Sequence, residues 1–131
     1  MIEKLGDRWL FTGVVSEIEK AIFFHLCDVL VLPSINSTES FGMVQIEAMT
    51  CGTPVVATNL PGVRQPVQST GMGQIVPQRN SRALAEGVLE VLAAFDPPDA
   101  EELAMLIDFY SPESVARAYE GVFEALVGGD E

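Results

Sequence analysis

Glu39-Ser40-Phe41-Gly42-Met43-Val44-Gln45-Ile46-Glu47 is the stretch on which the reading of this chain turns: two carboxylates with seven residues between them. Upstream, Val29-Leu30-Val31-Leu32, followed by Pro33-Ser34, is a short continuous apolar run of the kind that forms a buried parallel strand. Downstream, Cys51-Gly52-Thr53-Pro54 stops a helix and Val55-Val56-Ala57 opens a second apolar run. The order strand, loop, helix, strand predicts an α/β fold with a Rossmann-like parallel sheet and flanking helices. It also places a helix start at the carboxyl end of a strand, where open α/β sheets bind ligands.

The chemistry of that spot follows from helix geometry. Ser40, Phe41 and Gly42 lead into the first turn, and the amides of Gly42, Met43 and Val44 have no partner inside a helix. Gly42 allows close approach to the backbone. Free N–H groups at the positive end of a helix dipole suit a phosphate. Glu47 lies about one turn in, and helical side chains lean back toward the N-terminus, so its carboxylate reaches the same mouth. Beside a phosphate it is best placed against something uncharged, and a vicinal diol such as a ribose suits a two-oxygen acceptor. Glu39, on the loop, faces the far side, toward sugar hydroxyls. A plainer reading stands beside this one. Glu39 then complements the dipole, and Glu47 is a solvated residue between Met43, Ile46 and Met49.

The surrounding residues add a resemblance. Leu32-Pro33-Ser34, Glu39-Ser40-Phe41-Gly42, Glu47-Ala48-Met49, Cys51 through Thr58, Pro61-Gly62-Val63 and Gly73 through Pro77 closely resemble the family-4 retaining glycosyltransferases of the GT-B fold. Their signature is a Glu, seven residues and a second Glu, with Phe-Gly just after the first. The resemblance covers most of residues 8–95. It implies that Glu39 contacts the donor sugar and is the candidate catalytic residue. It implies that Glu47 holds the ribose of a nucleotide sugar, and that Ser40, Phe41, Gly42, Met43 and Val44 hold the diphosphate. Val14 and Val15 match the loop running past the nucleobase, though two valines serve equally well in a core, and Val15 joins the candidate donor contacts on those terms.

At 131 residues the chain is one domain at most. A chain of this size buries about two-thirds of its surface. The formal net charge of −12 argues against a nucleic-acid or anionic-membrane surface. Such a protein holds a diphosphate through amides and a few basic groups. No Asp-x-Asp pair and no cluster with zinc spacing is present, so no metal is expected. No cofactor is implied either; the nucleotide sugar is substrate. Cys27 and Cys51 read as small buried residues rather than a disulfide scaffold, and His25 as a surface or boundary residue. The first residues carry no apolar signal core and no run approaches a membrane span, which reads as cytoplasmic.

Elsewhere, residues 9–12 form a β-prone run stopped by Gly13. Ser16-Glu17-Ile18-Glu19 is a capping box opening a helix with Ile18, Ile22 and Leu26 on one face. Pro61 and Pro66 bracket an irregular helical turn that contains Arg64, which reads as a surface residue or a partner for phosphate or Glu39. Ser81 is expected to cap a helix to about residue 95, with Leu84, Val88, Val91, Leu92 and Phe95 as its core stripe. Two further helices fill residues 99–127. The first buries Leu103, Leu106 and Ile107. The second, capped by Ser111 with Pro112 next, carries Val115, Tyr119, Val122 and Leu126 as core and ends at Gly128-Gly129.

The resemblance is to part of a C-terminal, donor-binding domain only. It implies an N-terminal acceptor domain, two further strands in the middle of the sheet, and a basic Arg and Lys pair, none of which has a match in this sequence. The expectation is an incomplete domain over residues 1–131, with a core at 8–95. Its strand at 29–32 would expose a bare edge unless strand 9–12 moves beside it or another chain covers it. The expected partners are a nucleotide-sugar donor, an unknown acceptor, and a missing domain or partner chain, with self-association through that edge as a further outcome. A non-catalytic binding module or a truncated remnant remains the alternative to a transferase.

Overall fold

The computed structural model describes residues 5–36 and 38–128; the expectations placed on residues 1–4, on Ser37 and on the tail from Gly129 lie outside them. After a 3-10 turn at Gly6–Arg8 come α1 (Glu17–Leu26), β1 (Leu30–Leu32), α2 (Met43–Met49), β2 (Val55–Thr58), α3 (Gln65–Thr70), β3 (Gly73–Val76), α4 (Ser81–Ala94), α5 (Ala100–Phe109) and α6 (Pro112–Val127). The three strands form one parallel sheet in the order β1-β2-β3, with Leu30 beside Val55, Val55 beside Gly73 and Thr58 beside Val76. The chain is thus an α/β protein with a Rossmann-like parallel sheet and flanking helices.

Alternation along β2 organises both layers. Val55 and Ala57 enter one core with Phe24, Ile46, Ala48, Met49, Val63 and Val67, from α1, α2 and the α3 region. Val56 points the other way, to Val76 and to Val91 on α4. All four residues of β2 are buried, as a central strand covered on both faces requires. β1 departs from expectation. Its three apolar residues are only half-buried, because its outer edge carries no strand among the described residues.

The expected strand at 9–12 does not form. Trp9, Leu10 and Phe11 are exposed, at 50%, 77% and 84%. A β-prone run needs a ladder partner, and none of the described strands lies beside it. The proposed shift of this run onto β1 therefore does not occur.

The capping box at Ser16 is present. Glu19 Oε2 accepts from the Ser16 amide at 2.8 Å, and Ser16 Oγ accepts from the Glu19 amide. α1, however, turns Phe24 to the core rather than the stripe Ile18, Ile22 and Leu26, which is exposed. Phe24 lies two positions from Ile22, about 200° around the helix, so the richer apolar stripe points outward. Cys27 is likewise exposed and Cys51 only half-buried.

Asn80, not Ser81, caps α4, its side chain accepting from the Ala83 amide at 3.0 Å. Leu92 and Ile107 lie outside the core. α6 is capped by Ser111 as expected, but Val115, Tyr119, Val122 and Leu126 are exposed. The stripe is amphipathic, yet nothing among the described residues covers it.

Candidate functional site

The loops that follow β1 and β2 meet at the carboxyl end of the sheet. Thr58, the last residue of β2, donates its hydroxyl to the Ser34 carbonyl at 2.6 Å, tying the loop after β1 to the neighbouring strand. Beyond β2, Gly62 packs directly on the Ser40 carbonyl, and a Cβ there would overlap that oxygen. The loop from Glu39 to Gly42 thus rests on the Pro61-Gly62-Val63 turn.

α2 opens at Gly42, which takes the left-handed backbone conformation (φ 78°, ψ 63°). Any side chain there would be strained, and its Cβ would lie 2.6 Å from Leu32 Cδ2 and 2.7 Å from Gln45 Nε2. The first bond of the turn runs from the Gln45 amide to the Gly42 carbonyl at 2.8 Å. Among the described residues, the amides of Phe41, Gly42, Met43 and Val44 donate to no protein acceptor.

Gln45 is a residue that sequence reasoning passed over. It is fully buried, and its Nε2 donates to the Phe41 carbonyl and to the Val63 carbonyl, each at 2.9 Å. One side chain therefore clasps the mouth of α2 to the turn after β2. A glutamine among Met43, Val44, Ile46 and Met49, on the inward face of a short helix, was the signal available in the sequence.

The two glutamates are both accessible in part. Glu39 is half-buried on the loop, and among the described residues it makes no ion pair or hydrogen bond. Glu47 sits on the second turn of α2 with its side chain 40% exposed, and its Oε2 lies 3.1 Å from Lys20 Nζ. Lys20 also meets Glu17 at 2.8 Å. Glu17 first, and then Glu47, hold the Lys20 ammonium above its ordinary range. Lys20 was the second residue passed over; nothing in its helix spacing announces a partner on another helix. Burial, followed by the Glu47 charge, pushes the Cys51 thiol up.

Ser40 and Met43 are exposed, and Phe41 and Val44 half-buried. Val15 is half-buried just ahead of the capping serine, while Val14 is fully exposed, so the pair is not core. Arg64 reaches neither glutamate: its Nη1 donates to Asn59 Oδ1 at 3.0 Å, and its Nε is buried without a partner among the described residues. Among the described residues, no group of three or more His, Cys, Asp or Glu side chains gathers in a way that could hold a metal ion. None of the described helices is long and apolar enough to cross a membrane.

Comparison with known proteins meets this geometry from outside. The family described as glycosyl transferases group 1 matches residues 2–104. The chain belongs to that family. The phosphatidyl-myo-inositol mannosyltransferase of Mycobacterium leprae is 40% identical over 88 residues, covering 67% of this chain and 23% of that protein. A D-inositol 3-phosphate glycosyltransferase from Corynebacterium urealyticum is 34% identical over 110 residues, covering 83% of this chain and 24% of its own length. The chain spans about a quarter of the length of these curated relatives. Among solved structures, the sucrose-phosphate synthase of Thermosynechococcus elongatus superposes with a TM-score of 0.76 at 28% identity, over 98% of this chain and 33% of the other. The fold of this group 1 glycosyltransferase chain is therefore that of part of a GT-B protein. The sheet order and the Gly42 turn are the features on which the site's reading rests.

Proposed function

We propose that this chain is the donor-binding part of a retaining glycosyltransferase, gripping a nucleotide sugar at the loop Glu39 to Val44. The observation that carries the reading is the run of amides from Phe41 to Val44, without acceptors among the described residues, at the carboxyl end of a parallel sheet. In this reading those amides hold the donor diphosphate and stabilise it as it leaves, an electrostatic contribution of the oxyanion-hole kind. Glu47 accepts from the ribose hydroxyls, Glu39 orients the donor sugar, and Val15 lies toward the base. The bond from the anomeric carbon to the diphosphate breaks and one to an acceptor hydroxyl oxygen forms, with the hydroxyl proton passing to the departing diphosphate oxygen and with retention at that carbon. Glu39 is not assigned as a nucleophile. No metal is required in this scheme.

The acceptor is held by parts outside this chain, so the chain alone turns over little or no donor. The names of the relatives, a mannosyltransferase and inositol phosphate glycosyltransferases, guide the choice of probes. Calorimetric titration with UDP, GDP, UDP-glucose and GDP-mannose should give saturable binding for at least one. Glu47→Ala should weaken it by ~1.5–3 kcal/mol, the range for a hydrogen bond to a charged group, less whatever the released Lys20 pair contributed. An exposed pair contributes ~0–1 kcal/mol. Unchanged affinity removes Glu47 from the site.

A second reading has its own observation. The edge of β1, open among the described residues, and the exposed stripe of α1 favour a binding module completed by another chain or a second copy.

A further inference from the structure

We infer that Gln45 is the positioning residue of the donor loop, clasping it through the Phe41 carbonyl to the turn after β2. The inference rests on the donor reading above and adds a residue to it.

Three observations converge. The Gln45 side chain is fully buried, and its Nε2 spends both hydrogens on backbone carbonyls from two different loops, Phe41 and Val63, each at 2.9 Å. Its Oε1 is buried with no hydrogen-bond partner among the described residues. That orphan follows from the amide's orientation, which the two carbonyls dictate, because turning it over would set Oε1 against two carbonyl oxygens. It also marks a cost: a buried acceptor without a donor destabilises the fold, and an apolar side chain of the same size would avoid it. A glutamine in such a place is explained by what its other end holds. Gly62 supplies the third observation, since its lack of a Cβ lets the same two loops touch at the Ser40 carbonyl.

The consequence is directional. Holding the Phe41 carbonyl inward fixes the peptide plane shared with Gly42, and hence the aim of the Gly42 amide. The bond from the Gln45 amide to the Gly42 carbonyl fixes the next plane, shared with Met43. An anion bound by successive amides needs them aimed in advance, so a residue that touches no ligand sets the affinity for one.

The test uses two variants of the full chain and a readout that needs no nucleotide. Gln45→Met keeps the volume and removes both bonds. Gln45→Glu puts a carboxyl against two carbonyl oxygens: protonated, it donates to one; ionised, it repels both. Backbone order parameters from nitrogen-15 relaxation at Phe41 to Val44 should fall from the rigid range, about 0.85, toward the flexible one, below about 0.6, in Gln45→Met, while those of α4 stay unchanged. In Gln45→Glu the loop should lose order as pH rises through the carboxyl's titration, a profile that wild type lacks and that a purely space-filling role would not produce. Loop order that is unchanged in Gln45→Met, or insensitive to pH in Gln45→Glu, overturns the proposal. Wild type that binds none of the four nucleotide probes defeats the donor reading by itself, while the order parameters still decide whether Gln45 is the clasp.

Discussion

Gly62→Ala is the sharpest perturbation available to the loop architecture. A methyl at residue 62 would overlap the Ser40 carbonyl oxygen, a backbone atom with no rotamer in which to escape. The Ser40 side of the contact is tied down by the Gln45 bond to Phe41, and the Gly62 side by the Gln45 bond to Val63, so neither loop yields freely. Overpacking of this kind costs ~1–3 kcal/mol. At about 2.1 cal/mol/K of unfolding entropy per residue, a chain of this length shifts by about 4 °C per kcal/mol, so Tm should fall by about 4–11 °C. Thermal melting by circular dichroism measures it, with Gly121→Ala as control. Gly121 lies inside α6 with open space where its Cβ would point, so alanine there should not lower Tm. A Gly62→Ala chain that melts with wild type would refute the claim that the two loops are in enforced contact.

Two further outcomes are expected. The hydrogen bonds from the Ser16 amide, and then from its hydroxyl, lower the Glu19 pKa from 4.5, so the stability it supplies is present above that value and lost as pH falls through the lower folded one. Acid-titration melts of Glu19→Gln, which removes the titrating carboxylate, should show a weaker dependence in that window, and an unchanged curve would count against the capping box. The second concerns the open edge of β1, which should drive concentration-dependent association. Sedimentation should show it weakened in Val31→Lys, whose charge blunts an edge strand, and a strict monomer at all concentrations would contradict the role given to that edge.

What could be read from the sequence was whatever local chemistry decides. The Ser16 box, Ser111 with Pro112, the apolar run of β2 and the start of α2 near Gly42 are dictated within a few residues. Partners distant in sequence were not legible. Residues 9–12 have strand propensity but no neighbouring strand to pair with among the described residues, and α1 buries Phe24 because α2 packs there, although Ile18, Ile22 and Leu26 form the more apolar stripe. The stripe of α6 is genuine amphipathicity with nothing against it among the described residues. At the site, the loop position of Glu39 and the helical position of Glu47 followed from local pattern, whereas Gln45, Gly62 and Lys20 act across loops and helices far apart in sequence.

The central claim is that the amides from Phe41 to Val44 receive the diphosphate of a nucleotide sugar. Titrating UDP or GDP into the nitrogen-15-labelled chain and following every backbone amide by NMR tests it most directly. The account predicts saturable shifts that are largest at Phe41, Gly42, Met43 and Val44, and a weaker response from the same amides in Glu47→Ala. Saturable shifts centred on another part of the surface, or none at these four residues, would contradict it.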